Sequence, residues 1–310
     1  MSEPAEEGGR GRIGTAAVLV AAALPLLYLL PLVLSLLLVA LPPRRLRTVV
    51  AGALGGAVAV VLLPAPSGVG AALLVWSVSV SAAFALAALL RPAWGFFPRA
   101  LAAVAAGLGA AGGWLAAAGS WPVLDRAVRT AIDGLAATWT KRVAADVTDP
   151  AVARAFEASL RTLAEVQWKL FPAAMALQSL ALLALGWWIY ARFAPHEGRW
   201  AQLRPLREFR FSDHLVWVAI AGLLLVLLPG GGDAARVGAN VLFFMGGLYA
   251  LRGLGVILFT TRISPAVLAV CLAVLALSPL LQIVLVAALG VGLGDTWLDV
   301  RRRAALVPRA

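Results

Sequence analysis

Apolar residues run along the chain in long blocks at 13–41, 48–63, 68–90, 100–118, 170–190, 215–228, 237–260 and 264–294. Short polar connections separate them, apart from one long polar stretch at 121–169. A bilayer hydrocarbon core about 30 Å thick takes roughly 20 helical residues, so each of the six inner blocks predicts one membrane pass, 215–228 being the shortest. The first and last blocks would reach about 45 Å as straight helices. Each is expected to tilt, kink or double back, at Pro25 and Pro31 in the first and at Pro279 in the last. The pattern therefore predicts an all-α protein, a polytopic transmembrane helix bundle of about eight passes, or eight to ten if the terminal blocks fold back. Residues 1–12 read as a polar tail and 13–310 as a single transmembrane domain. The first block is far longer than the apolar core of a cleaved leader and is read as an uncleaved span.

The polar stretch has its own period. Leu124, Val128, Ile132, Leu135, Trp139 and Val143 recur at spacings of three and four, with Asp125, Arg126, Arg129, Asp133, Lys141 and Arg142 between them. This predicts an amphipathic helix. Asp149 followed by Pro150 reads as an N-cap and first-turn pair, and Phe156, Leu160 and Leu163 continue an apolar face toward the next span. Residues 121–169 are thus expected to form an extramembrane helical hairpin that lies on the bilayer or folds over the bundle.

Composition agrees with the pattern: 62% of residues are hydrophobic and 13% charged, against about a quarter charged in soluble domains. The net charge of +11 follows topology and not a nucleic-acid groove, because no basic stretch is interleaved with aromatics. The loops 42–47, 91–99 and 191–213 hold ten basic and three acidic residues, whereas 64–67, 121–169 and 230–236 hold eight and seven. The positive-inside rule puts the first set on the cytoplasmic side of the membrane. Arg301, Arg302 and Arg303 conflict with that assignment if the last block crosses once.

Chemistry-bearing residues are sparse. One cysteine, Cys271, and two histidines, His196 and His214, build neither a disulfide framework nor a zinc cluster, so no metal and no cofactor are expected. HExxH, GxSxG and Walker A patterns are absent, and the neighbours His196–Glu197 and Asp213–His214 read as solvated loop charges. No catalytic residue is assigned and the chain is not expected to be an enzyme.

Arg252 is the sharpest feature, because it lies inside an apolar block about 12 Å of helix rise from Thr260. A charge at that depth costs several kcal/mol unless paired or hydrated, and no acidic residue lies within an apolar block to pair with it. The functional reading is an anion site in a cavity opened by Gly246, Gly247, Gly253 and Gly255. The alternative is an arginine that snorkels or donates to carbonyls at a helix break. Under the first reading, Arg252→Leu should abolish solute binding while leaving the protein folded in the membrane. Asn240, Gln178 and Gln282 are the other strongly polar side chains in spans, expected to bond across helices and candidate ligand contacts. Gly52 with Gly56, Gly109 with Gly113 and Gly290 with Gly294 are small-xxx-small pairs expected to pack helices closely. Trp187, Trp188 and Tyr190 beside Arg192, and Trp297 near the terminal arginines, are expected to mark membrane interfaces.

Leu206-Arg207-Glu208-Phe209-Arg210-Phe211 leading to Trp217, then Asn240 and 248–254, then Gly292-Leu293-Gly294-Asp295 with Trp297, Asp299 and Arg301, resemble the YybS-like family of bacterial multi-pass membrane proteins. Arg252 departs from the family pattern, where a glutamine stands before the glycine. That family is distantly similar to the substrate-binding subunits of energy-coupling-factor transporters. The resemblance implies that small residues of the first helix, here Ala17 and Ala21, dock a membrane partner. A transport-related, small-solute-binding bundle is one expectation for function; a non-transporting scaffold or regulator of the bacterial envelope, engaging partners through the 121–169 hairpin, is the alternative.

Overall fold

A computed structural model describes residues 69–91, 93–146, 150–193, 205–229, 232–275 and 280–306. The first two apolar blocks, Ala17 with Ala21, Gly52 with Gly56, His196 and Pro279 lie outside the described residues. Among those described, all regular structure is helical, as the long apolar blocks predict. Five of the described helices are long and apolar enough to cross a membrane. The described residues fall into two compact units, one within Met1–Lys169 and Met175–Leu203, the other within Leu170–Ala174 and Arg204–Ala310.

In the first unit, α1 (Val69–Leu90) pairs with α2 (Phe96–Ala117). Gly107 makes the closest approach: a Cβ there would stand 2.3 Å from Val80 Cγ2. Val75, Val80, Phe84, Ala100, Ala103, Val104 and Leu183 fill the interior. The chain leaves α2 through Gly119 at φ +59°, a conformation that costs glycine nothing. There the Gly119 and Ser120 amides bond to the carbonyls of Ala116 and Leu115. The Ser120 carbonyl then accepts from Val123 and Leu124, starting α3 (Trp121–Asp146).

The expected hairpin is present, with its second arm longer than predicted. That arm is the start of α4 (Pro150–Phe193), a continuous helix of 44 residues with Pro172 inside it. At 1.5 Å per residue it is roughly 66 Å long, and it joins the predicted second arm to the 170–190 block in one helix. Near the base of the hairpin, Trp168 Nε1 donates to Asp125 Oδ1 at 3.1 Å and Arg129 lies 4.6 Å over the Trp168 ring. Farther out, Leu135 and Trp139 stay exposed, at 64% and 54%.

Trp187 corrects one expectation. It is 2% exposed, its ring edge-on to Phe84 at 5.8 Å, and only its neighbour Trp188 faces outward. Successive helical residues point about 100° apart, so one tryptophan fills the core and the other can mark an interface. Arg99 is also displaced from its expected place: it sits in the first turn of α2, fully buried, 5.6 Å over the Trp187 ring. A cation on that ring gains about 2 kcal/mol where water is excluded. Trp76 Nε1 donates to Ser179 Oγ at 2.9 Å, joining α1 to α4.

The second unit opens with an extended strap, 205–215, containing 3-10 turns at Leu206–Glu208 and Asp213–Leu215. It leads into α5 (Val216–Leu227), α6 (Gly232–Thr261), α7 (Pro265–Leu275), α8 (Leu280–Leu298) and the short α9 (Val300–Leu306). Within the over-long last block the described residues form α7 and α8. Helix α6 packs against α5 and α8, and glycine sets both distances. A Cβ on Gly238 would meet Gly222 O at 2.5 Å; one on Gly253 would meet Ala288 O at 1.7 Å, and one on Gly292 would meet Tyr249 O at 1.9 Å.

These contacts replace the predicted glycine pairs. Gly109, Gly113 and Gly290 would meet nothing within 4 Å, and Gly294 would meet only Leu298 of its own helix. Close packing needs a small residue on the face turned toward a neighbour, and these four glycines do not make such contacts among the described residues.

Candidate functional site

Arg252 lies in the C-terminal third of α6, 3% exposed, and it is ion-paired. Its Nε donates to Asp295 Oδ2 at 3.0 Å, its Nη2 to the Asp295 carbonyl at 3.2 Å, and its Nη1 to Asp213 Oδ1 at 2.7 Å. The expectation that no span supplies an acidic partner is therefore overturned. Asp295 belongs to α8, which runs four residues past the end of the predicted apolar block at Gly294. Its side chain is fully buried, whereas that of Asp213, on the strap, is 61% exposed.

A second arginine enters from the C-terminal side. Asp299 turns the chain between α8 and α9 at φ +42°, a region aspartate tolerates better than most residues. Its carbonyl accepts from Arg302 and Arg303. The turn aims Arg301 back at the strap: Nη1 donates to Arg207 O at 3.0 Å, and Nη2 to Phe209 O at 2.9 Å and to Arg252 O at 3.3 Å. Arg301 Nη2 also lies 3.8 Å from Asp295 Oδ2. Outside the cluster, Arg210 pairs with Asp299 and holds that carboxyl below its ordinary pKa.

Aromatic rings and close backbone contacts complete the enclosure. Arg252 lies 5.5 Å over the Phe211 ring, which meets Tyr249 edge-on at 5.1 Å. A Cβ on Gly255 would stand 2.6 Å from Leu206 O, and one on Gly246 would stand 3.3 Å from Leu289 Cδ1. With Gly253 seated on Ala288 O, these glycines admit strap and helix atoms; the expected glycine-lined cavity is filled at these positions. Two buried polar atoms of the cluster nonetheless make no hydrogen bond, Asp295 Oδ1 and Arg301 Nε. Such an atom costs about 1–3 kcal/mol when left without a partner.

The cluster is balanced in charge. Arg252 and Arg301 carry two positive charges, Asp295 contributes one buried negative charge, and the exposed Asp213 carboxylate supplies the other. Arg252 and Asp295 were within reach of sequence reading, one by its depth and the other by its place just past an apolar block. The roles of Asp213 and Arg301 leave no local signal, because each comes from a segment distant in sequence.

The remaining candidates separate. Asn240 bonds across helices as expected: its Oδ1 accepts the Ala173 amide at 3.0 Å, one residue past Pro172, and its Nδ2 donates to Arg236 O at 2.9 Å. A proline leaves the surrounding helix backbone short of its regular bonds, and Asn240 serves that break. Asn240→Ala is expected to cost about 1 kcal/mol, read as a lowered unfolding temperature in detergent, with Asn240→Asp closer to wild type than Asn240→Ala. Gln178 and Gln282 are exposed on α4 and α8, away from the Arg252 cluster's hydrogen bonds. No group of three or more metal-ligating side chains occurs among the described residues.

No curated protein and no solved structure matches the chain. The model of a family described as "Predicted membrane protein (DUF2232)" matches residues 13–292, nearly the whole of the helical sequence laid out above. The chain belongs to that family, DUF2232, of multi-pass membrane proteins.

Proposed function

We propose that this protein is a transport-related, small-solute-binding helical bundle of the bacterial cytoplasmic membrane, with its ligand chemistry in the second unit. The observation that carries the reading is the Arg252 cluster: a charged, hydrogen-bonded centre inside helices otherwise made for lipid, completed by a carboxylate that reaches solvent. Ionisable groups at such depth are costly and mark substrate or ion sites more often than surface charges do. The resemblance to YybS-like proteins, and through them to the substrate-binding subunits of energy-coupling-factor transporters, supports the same reading. The loops 42–47, 91–99 and 191–213 face the cytoplasm under it, and Ala17 with Ala21 docks a membrane partner. Arg252 is the principal ligand residue, Asn240 serves the helix break at Pro172, and Gln178 and Gln282 play no part in binding.

A second reading rests on the hairpin, whose exposed Leu135 and Trp139 suit a scaffold or regulator that holds an envelope protein. The two separate in one experiment: native mass spectrometry of the full chain extracted from its membrane in mild detergent. Binding of a solute predicts a small-molecule adduct that survives Leu135→Glu/Trp139→Glu and is lost in Arg252→Lys. A stoichiometric protein partner released by Leu135→Glu/Trp139→Glu, with no small-molecule adduct, would transfer the assignment to the scaffold.

A further inference from the structure

We propose that Asp213 is a tethered stand-in for an external oxyanion, so that the strap 205–215 is a latch and the ligand of the Arg252–Arg301 centre is a small carboxylate or phosphate. This inference rests on the solute-binding reading and adds the ligand class and its regulation.

The charge balance leads to it. Without Asp213 the buried centre holds two guanidinium groups against the single carboxylate of Asp295, and its surplus positive charge needs an anion. The group that supplies one is the most exposed member of the cluster, 61% against 3% for Arg252, and it is carried by a strap rather than by a helix of the bundle. Guanidinium groups bind carboxylates and phosphates through the same planar fork of N–H donors. An incoming oxyanion can therefore take over the Nη1 contact that Asp213 now makes at 2.7 Å.

The hydrogen-bond inventory points the same way. Of the buried atoms left without a bond, Arg301 Nε, on α9, is a donor. One carboxylate from the strap satisfies one N–H of Arg252 and leaves this donor unused. A phosphate or a dicarboxylate brings more acceptor oxygens than Asp213 places there.

The strap is fastened at places other than Asp213. Arg301 holds the Arg207 and Phe209 carbonyls, and Arg210 pairs with Asp299. Releasing Asp213 alone therefore leaves the rest of the strap in place. A closed state that dominates an open one by tenfold to a hundredfold weakens apparent affinity by the same factor.

The test is titration calorimetry of inorganic phosphate and of succinate into the full chain in neutral detergent, for wild type, Asp213→Asn, and Asp213→Asn/Arg252→Lys. A parallel series uses nanodiscs of phosphatidylcholine with and without phosphatidylglycerol. Asp213→Asn removes the charge of the stand-in and is expected to tighten binding of at least one probe by about ten- to a hundredfold, with the added Arg252→Lys reversing the gain. Tightening toward the free anions identifies a soluble ligand, and tightening only toward phosphatidylglycerol identifies a lipid headgroup. Equal binding by wild type and Asp213→Asn, lost with Arg252→Lys, would overturn the latch and leave the solute site standing. No binding of any probe by a folded Asp213→Asn protein, its helical circular dichroism and elution volume unchanged, would overturn the inference and the oxyanion site together.

Discussion

Arg252→Leu is expected to destabilise the second unit by about 3–5 kcal/mol, because it strands Asp295 as a buried carboxylate without its main partner. The side chain of Asp295 is fully buried. Arg301, the remaining cation, lies 3.8 Å away and directs its hydrogen bonds to the carbonyls of Arg207, Phe209 and Arg252. The expectation from sequence, that this variant keeps the fold and loses only a ligand, does not survive the two ion pairs. Thermal unfolding in detergent, followed by circular dichroism, gives the measurement. A double-mutant cycle supplies the mechanism: Arg252→Leu/Asp295→Leu should be more stable than Arg252→Leu alone, since an apolar pair can replace a buried ion pair at little cost. Strictly additive losses would show that the two residues do not act on one another. Arg252→Lys keeps the charge without the fork geometry and is expected to fall between wild type and leucine.

What the sequence made legible was the depth of Arg252; what it hid was the company Arg252 keeps. Hydropathy ends a block at the first charge, so the last one stopped at Gly294. The backbone has no such reason to stop, and α8 carries Asp295 on to Leu298 as part of the same helix. The partners Asp213 and Arg301 stand 39 and 49 residues from Arg252, a separation at which no local period survives. Spans were read well where an apolar face or core decides them: 68–90 became Val69–Leu90, and 237–260 became the inner part of Gly232–Thr261. They were read less well where helix continues through polar residues, as in the 44-residue α4. Arg99 counted as a loop charge because it lies next to the 100–118 block, yet a helix that starts at Phe96 carries it into the core against Trp187. Charge sets the membrane boundary on average, while individual guanidinium groups are placed by the ring or carboxylate they reach.

Glycine is where local pattern and three-dimensional contact part most sharply, and Gly253→Ala is expected to expose the difference. Its Cβ would stand 1.7 Å from the Ala288 carbonyl oxygen, 2.6 Å from the Ala288 carbonyl carbon and 2.9 Å from the Gly292 nitrogen. All three are backbone atoms, so no side chain can turn aside and α6 must move away from α8. That movement also pulls Arg252, the adjacent residue, from Asp295, now held at 3.0 Å. A loss of about 3 kcal/mol or more follows, at the upper end of what overpacking costs. Gly290→Ala is the control, since its Cβ would meet nothing within 4 Å and alanine favours the helix by up to about 1 kcal/mol. The small-xxx-small pattern ranks Gly290 as a packing residue and is silent on Gly253; the geometry reverses that order. Unfolding temperatures of the two variants in the same detergent decide between them. Equal losses, or a larger loss at Gly290, would mean that α6 and α8 do not cross at Gly253. The expected result ties the charge cluster to the crossing: helices brought this close by two hydrogen-sized side chains hold a guanidinium and a carboxylate in register away from water.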